Sequence, residues 1–295
     1  MSYPSHPPIC NYEGSDYQQV FWDKGERAYE DQVEAIAIRR LLNQPGDWLL
    51  EIGAGAGRNT PRYRTYQRIV LLDYSISQLE QAQARIGKNE RYLYVAADAY
   101  NLPFVAGLFD AVTMIRTLHH LAEPKLALQQ VRQVLKDGGF FLLEYANKQN
   151  LKAILRYLLG RQKWNPFDLD PIEFAELNFD FHPRAIRRWL EESDFALKRQ
   201  LTVSHFRLGL LKKTIPLKIL VALDSLVQPS GNWWQLSPSV FALAQAVGAK
   251  ATALPDGFFA CPQCHGNQFE EHSTQTVCMN CGQRWEIHKG IYVFR

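Results

Sequence analysis

Apolar positions along the chain alternate between two rhythms. Short runs of consecutive apolar residues occur at Trp48–Ile52, Ile69–Asp73, Tyr92–Ala96, Phe109–Ile115 and Phe140–Tyr145. Such runs read as strands buried on both faces. Before and between them the apolar spacing widens to three and four. Val33, Ile36, Ala37, Leu41 and Leu42 predict a helix over Glu30–Asn43, and Pro45-Gly46-Asp47 ends it. Helices are also predicted over Ser77–Ile86 and Pro124–Leu135, the second closed by Lys136-Asp137-Gly138-Gly139. Strand and helix alternating at this pitch form βαβ units. The expected fold class is therefore α/β, a Rossmann-like, mostly parallel sheet with helices on both faces. Ligands of such sheets bind outside the carboxyl ends of the strands, which makes the residues just past each run the candidate site.

Beyond Tyr145 the rhythm is interrupted. A helix over Pro183–Glu192, a strand near Leu197–Ser204 and a last strand around Pro238–Leu243 are predicted, with helical inserts at about 147–181 and 206–236. The first insert opens with Leu151, Ile154, Leu155, Leu158 and Leu159 on one helical face. Lys148, Lys152, Arg156, Arg161 and Lys163 lie around it, with no acidic residue before Asp168. A second stretch repeats the chemistry: Lys198, Arg199, Arg207, Lys212, Lys213 and Lys218 stand among leucines and isoleucines, again with no acid between them. One reading is a lid whose apolar face packs on the sheet domain. The other is a basic amphipathic surface that contacts an anionic membrane or covers the substrate. Trp164, Phe167, Trp233 and Trp234 add aromatic surface suited to core or to a pocket wall. Residues 1–47 are read as an N-terminal tail, proline-rich up to Pro8, plus a helix. Residues 48–248 form the α/β domain, Gly248–Asp256 is a small-residue linker, and 256–295 is a small C-terminal module.

Composition narrows the class. At 295 residues, 46% hydrophobic and 21% charged, the chain can bury a sizeable core, which excludes disordered and low-complexity proteins. A net charge of +3 is too small to mark a nucleic-acid protein. No export-signal pattern opens the chain, and no apolar stretch approaches the ~20 residues a bilayer span requires. A soluble protein in the reducing cytoplasm is expected. Of five cysteines, Cys10 stands alone and four form Cys261-Pro-Gln-Cys264 and Cys278-Met-Asn-Cys281. Two CxxC knuckles in such a chain point to a closed, structural tetrahedral Zn²⁺ site rather than disulfides, with unliganded thiols as the alternative. A ~40-residue module needs such a metal to hold itself together. A hairpin over Asn267–Val277 spans the gap, and His265, His272 and His288 are expected at the surface rather than as ligands.

The strand ends carry the chemistry. The first runs into Glu51-Ile-Gly53-Ala-Gly55-Ala-Gly57, a G-x-G-x-G turn where a dinucleotide fingerprint would have G-x-G-x-x-G. Glycines there let backbone amides approach a ligand, or simply close a tight turn. Asp73, at the end of the second strand, can accept both ribose hydroxyls of an adenosine or cap a helix. Asp98 follows the third strand and can accept from an adenine amino group, or serve as a turn residue.

Glu51 to Gly57, Asp73, Asp98 with Leu102-Pro103-Phe104, Phe109-Asp110, Leu118-His119-His120-Leu121 and Val134-Leu135-Lys136-Asp137-Gly138-Gly139 together resemble the ordered motifs of class I S-adenosylmethionine-dependent methyltransferases. Within that family they are most similar to the branch of quinone-biosynthesis C-methyltransferases and tRNA wobble-uridine methyltransferases. The resemblance covers roughly Trp48 to Tyr145. It implies S-adenosylmethionine as co-substrate, held by Glu51, Gly53, Ala54, Gly55, Gly57, Asp73, Tyr74, Asp98, Ala99 and Arg116. His120, and next to it His119, would lie near the transferred methyl as candidate bases, or be merely packed. Glu144 and Tyr145 would border the same cleft. The Asn/Asp-Pro-Pro-Tyr motif of amino-group methyltransferases is absent after the fourth strand. The C-terminal knuckles, with Trp285 to Phe294, resemble the zinc ribbons that activate tRNA, rRNA and release-factor methyltransferases as a separate subunit. Here the ribbon is expected either to pack on the catalytic domain or to dock a protein partner. From Lys250 onward it carries four basic and four acidic residues, a weak footing for phosphate. The expected function is methyl transfer to a small-molecule or lipid-like acceptor. An RNA or translation-protein methyltransferase is the alternative, and a non-catalytic cofactor-binding scaffold comes third.

Overall fold

The computed structural model describes residues 7–15, 22, 27–248 and 257–295. The first six residues of the predicted tail and the linker residues 249–256 lie outside them. In chain order the elements are α1 (Ala28–Leu41), β1 (Gly46–Ile52), β2 (Tyr66–Asp73), α2 (Ile76–Ile86), β3 (Tyr92–Ala97), β4 (Phe109–Met114), α3 (Pro124–Val134) and β5 (Leu135–Ala146). There follow α4 (Leu151–Leu158), β6 (Ile172–Ala175), β7 (Asn178–Asp180), α5 (Pro183–Glu192), β8 (Phe195–Val203), α6 (Gly209–Thr214), α7 (Leu217–Val227) and β9 (Ser239–Ala246). The C-terminal module adds β10 (Phe269–Glu271), β11 (Gln275–Cys278), β12 (Arg284–His288) and β13 (Ile291–Phe294).

One sheet runs in the order β10-β11-β12-β13-β3-β2-β1-β4-β5-β9-β8. Its centre is parallel, from β3 to β5. Alternation along the central strands fills two cores. Leu50, Ile52, Val70 and Leu72 face α3 and α5 in one, whereas Leu49, Ile69 and Leu71 face α1, α2 and α7 in the other. This is the Rossmann-like fold expected from the apolar rhythm. The last predicted strand is not the edge: β9 runs antiparallel between β5 and β8. Strand β5 also begins earlier than its apolar run. Leu135 pairs with Phe109, the register then shifts, and Phe140 pairs with Ala111, so Lys136–Gly139 bulge out of the strand.

Two features of the inserts were not legible in the pattern. The β6–β7 hairpin within the first insert forms a separate two-stranded sheet. Helix α4 is helical as expected, but its leucines do not pack on the sheet domain: of its residues only Ala153 is buried. Its start is pinned from the side instead, where the Leu151 amide donates to the Leu236 carbonyl (2.9 Å). The lid reading fails at this helix.

The cysteine-bearing module continues the main sheet. Strand β13 pairs in parallel with β3 from Ile291–Tyr94 to Phe294–Ala97. Phe294 enters the core of α3 and α5, and Ile291 the opposite one. Beside this seam Phe104 pairs with Phe259 as a short bridge. The Ala260 amide donates to the Pro103 carbonyl (3.1 Å), and the Val105 amide to Phe258 (3.2 Å). The Leu102-Pro103-Phe104 motif that follows Asp98 is thus held by the module.

Candidate functional site

At the carboxyl end of β1 the chain turns through Gly53, Gly55 and Gly57, all with positive φ (70°, 52° and 71°). The Gly53 and Ala54 amides both donate to the Leu72 carbonyl, at 2.8 and 3.0 Å. A Cβ on Gly53 would stand 2.0 Å from Thr117 Oγ1, so no other residue fits. Gly57 lies against Ala82 of α2. Around Gly55 there is space, and what its glycine supplies is an open, left-handed backbone.

Asp73 closes over this turn. Its Oδ2 accepts the Gly55 amide (2.8 Å) and its Oδ1 the Ser75 amide (3.0 Å). The helix cap itself is Ser75, which accepts from the Gln78 amide, so Asp73 is not the cap of α2. Burial raises the Asp73 pKa against those backbone donors. Asp98 accepts the Tyr100 amide (2.8 Å) in the turn after β3. Gly53, Ala54, Gly55, Asp73, Tyr74, Asp98, Ala99, Arg116 and His120 line one cleft, whose empty volume including its mouth is about 1030 Å³.

Other expected site residues lie elsewhere. Glu51 is buried behind the turn, accepting from Thr60 Oγ1 (2.6 Å) and the Tyr63 hydroxyl (3.1 Å). Gly57 shapes the turn from below. The Nδ1 of His119 is buried without a hydrogen bond, and burial drives that imidazole to its neutral form. Glu144 and Tyr145 do not border the cleft. The Glu144 carboxylate is buried beneath it and accepts the Arg116 amide (2.9 Å) and Ser239 Oγ (2.6 Å). Tyr145 is fully buried, its hydroxyl 3.4 Å from Gln200 Nε2.

His120 faces the cleft. Its Nδ1 lies 3.0 Å from the Leu177 carbonyl and its Nε2 3.1 Å from the Tyr12 hydroxyl. A carbonyl only accepts, so Nδ1 carries the proton. Burial lowers the His120 pKa, which leaves a neutral ring whose Nε2 accepts from Tyr12.

The cleft has a wall that the sequence pattern did not reveal. Ile9, Cys10, Tyr12 and Trp22 line it from the N-terminal side. Residue Ile9 pairs with Leu121, and the Glu13 carboxylate accepts the Ile76 and Ser77 amides (3.0 and 2.9 Å) at the start of α2. Arg295 pairs with Glu13 (3.1 Å) and lies over the Tyr74 ring at 4.6 Å. Glu34 of α1 was missed too. Wholly buried, it accepts from Arg58 Nη2 (2.9 Å) and Arg116 Nε (2.8 Å). Burial alone would raise its pKa, but Arg116 and Arg58 hold it below the usual range. Trp22 stacks under both guanidinium groups, at 3.6 Å from Arg58 and 4.8 Å from Arg116. No local spacing marks such a contact; only the unusual burial of a helix acid betrays it.

Outside the cleft lining, the sulfurs of Cys261, Cys264, Cys278 and Cys281 lie within 4.8 Å of one another, and no pair is bonded. The Cys261–Cys281 and Cys264–Cys278 separations are 3.8 and 3.5 Å. Tetrahedral zinc with Zn–S bonds of about 2.3 Å sets its sulfurs ~3.8 Å apart, so the cluster fits that ion.

Residues 50–143 match the methyltransferase domain family. The chain is similar to a 27-O-demethylrifamycin SV methyltransferase of Amycolatopsis mediterranei, 31% identical over 43% of this chain and 49% of the relative. It is also similar to a demethylmenaquinone methyltransferase of Clavibacter sepedonicus, 33% identical over 37% and 45%. The chain thus spans about half the length of these curated relatives. Among solved structures, it resembles a chain of the complex between the Haloferax volcanii Trm112 methyltransferase activator and a methyltransferase. That likeness has a TM-score of 0.53 and 14% identity, covers 77% of this chain and 94% of that chain, and is one of fold.

Burial pushes the Glu51 carboxyl up to about 7, from an ordinary 4.5, against the hydrogen bonds of Thr60 and Tyr63. Between those values the folded protein keeps a proton that the unfolded chain releases, so this group's contribution to stability falls as pH rises from 4.5 to about 7. Urea midpoints across that range should drop more steeply for the wild type than for Glu51→Gln. Parallel curves would show that Glu51 titrates alike in the folded and unfolded chain.

Proposed function

We propose that the protein is an S-adenosylmethionine-dependent methyltransferase acting on a small-molecule or lipid-like acceptor. The observation that carries this reading is the convergence of the glycine turn, Asp73 and Asp98 at the carboxyl edge of three adjacent strands, facing one cleft. Asp73 would take the ribose hydroxyls, Asp98 with the Ala99 backbone the adenine, and the Gly53–Gly55 turn the methionine part. Ala54, Tyr74 and Arg116 would complete the wall, with Gly57 and Glu51 fixing the turn from behind. When bound, the co-substrate supplies an electrophilic methyl on a sulfonium, so the protein's share of the catalysis is positioning and water exclusion.

The N-terminal segment serves the second task. Ile9 and Trp22 join Ile115 and Leu121 in giving the cleft apolar wall, suited to a small organic acceptor. The two curated relatives, named for demethylrifamycin and demethylmenaquinone, support the same acceptor class here. Where the acceptor must lose a proton, His120 is the base: Leu177 orients its ring, and Nε2 takes the proton directly or through the Tyr12 hydroxyl. His119 does not line the cleft and has no such access. The four cysteines hold a structural Zn²⁺ that closes the C-terminal module, and the donor set leaves no position open for chemistry.

Asp73→Ala should weaken S-adenosylhomocysteine binding by about 1–3 kcal/mol, because it leaves ribose hydroxyls unpaired. An unchanged calorimetric affinity would remove Asp73 from the binding set. With labelled S-adenosylmethionine in a cell lysate, label should enter the organic-soluble or small-molecule fraction. Label confined to RNA or protein would replace the acceptor class, and no label despite cofactor binding would indicate a scaffold. Purified protein should carry one zinc per chain, and a metal content near zero with four freely titrating thiols would exclude the ion.

A further inference from the structure

Helices α4, α6 and α7 carry large apolar side chains left uncovered among the described residues. Leu155 and Leu158 of α4 and Leu159 at its end are 50–68% exposed, Leu210 of α6 is 73% exposed, and Leu226 of α7 is 76% exposed. Trp233 and Trp234, directly after these helices, are 75% and 71% exposed. Scattered surface leucines need no explanation, but two adjacent tryptophans and a run of leucines on three neighbouring helices do. The elements are physically joined. Leu151 at the start of α4 donates its amide to Leu236, and Asn147 Nδ2 donates to the Gln235 and Ser237 carbonyls (2.7 and 2.8 Å). A groove is lined jointly by Asn150 and Lys152 near the start of α4, by Lys213 of α6 and Leu217 of α7, and by Glu30 of α1.

Charge selects the occupant. Lys152, Arg156, Lys163, Lys213 and Lys218 are exposed on the same helices and their flanks, and none makes an ion pair among the described residues. Lys148 is excluded from this set because it is buried against Asp168, as is Lys212, which pairs with Glu30. Segments 148–167 and 195–223 contain no acidic residue at all. A second copy of the chain docking here would bring these cations face to face. An apolar protein partner would leave them without purpose. Leucines that reach into an acyl boundary, tryptophans at headgroup depth and lysines that extend to anionic headgroups form one coherent set. No helix among the described residues is long and apolar enough to cross a membrane, so contact is with the surface.

We infer that the α4–α6–α7 face, with Trp233 and Trp234, seats the protein on an anionic lipid bilayer. This does not rest on the methyl-transfer reading, since the face lies outside the cleft. The test is co-sedimentation of the full chain with vesicles of phosphatidylcholine alone or mixed with phosphatidylglycerol, at low and high salt. The chain should pellet with the anionic vesicles, and salt should weaken it. Leu158→Glu with Trp233→Glu, and separately Lys213→Glu with Lys218→Glu, should each lower the partition at least tenfold. All four side chains are exposed, so the thermal midpoint and the S-adenosylhomocysteine affinity should stay at wild-type values. Failure to pellet with anionic vesicles would overturn the inference, as would equal binding to neutral ones or unaltered binding by both double variants. A dimer in sedimentation velocity that either double variant disperses would assign the face to self-association instead.

Discussion

A buried carboxylate holds the cleft in shape. Glu34, inaccessible to solvent on α1, joins Arg58 from the turn after β1 to Arg116 from the turn after β4. In a parallel sheet these turns are separate excursions with no backbone ladder between them. An ion pair with two partners, sandwiched against Trp22, supplies the missing tie. Removing one member of a buried pair leaves an uncompensated charge, at a cost of about 3–5 kcal/mol. Arg116 also sits at φ 56°, a left-handed conformation that costs a side-chain-bearing residue about 1–3 kcal/mol. Its guanidinium on Glu34 and its amide on Glu144 over-determine that strained position.

Around this tie the molecule separates its tasks by location. The carboxyl edge of β1, β2 and β3 holds the polar groups, and Ile9, Cys10, Tyr12 and Trp22 wall them in. The flank made by α4, α6 and α7 holds leucines and cations that are uncovered and unpaired among the described residues. On the opposite flank the cysteine module extends the sheet beyond β3. That module is not an appendage in mechanical terms. Its Phe258–Ala260 stretch pairs with Pro103–Val105, a few residues past Asp98, so the turn after β3 is braced from a part of the chain more than 150 residues away.

Features with a local physical cause were legible in the sequence. The five parallel strands, the helices between them and the glycine turn each carry their own period or conformational signature. The cysteine knuckles were equally plain, because two CxxC pairs bring four sulfurs together. Asp73 and Asp98 followed from their place at strand ends. What escaped was set by distant partners. Leu155 and Leu158 have the spacing of a packed helix, and only the absence of a facing element among the described residues shows that they are bare. Glu144 ends a strand as Asp73 does, yet β9 packs beside it and Ser239 claims its carboxylate. Tyr12 and Cys10 sit in a segment with no periodicity, so nothing local announced that they line the cleft. His119 and His120 are adjacent in sequence, and the turn alone decides that only His120 lines the cleft.

The parallel seam between β13 and β3 bears on how the chain is assembled. Tyr94 meets Ile291, nearly two hundred residues later. A ribosome therefore releases β1 to β5 long before the edge of β3 has its neighbour. Until then a strand with unpaired amides and carbonyls lies open to other chains, the geometry from which edge-to-edge aggregation begins. The late arrival of the cysteine module closes that edge. Slow folding of that module during synthesis would thus reveal itself first as poor solubility of the nascent protein.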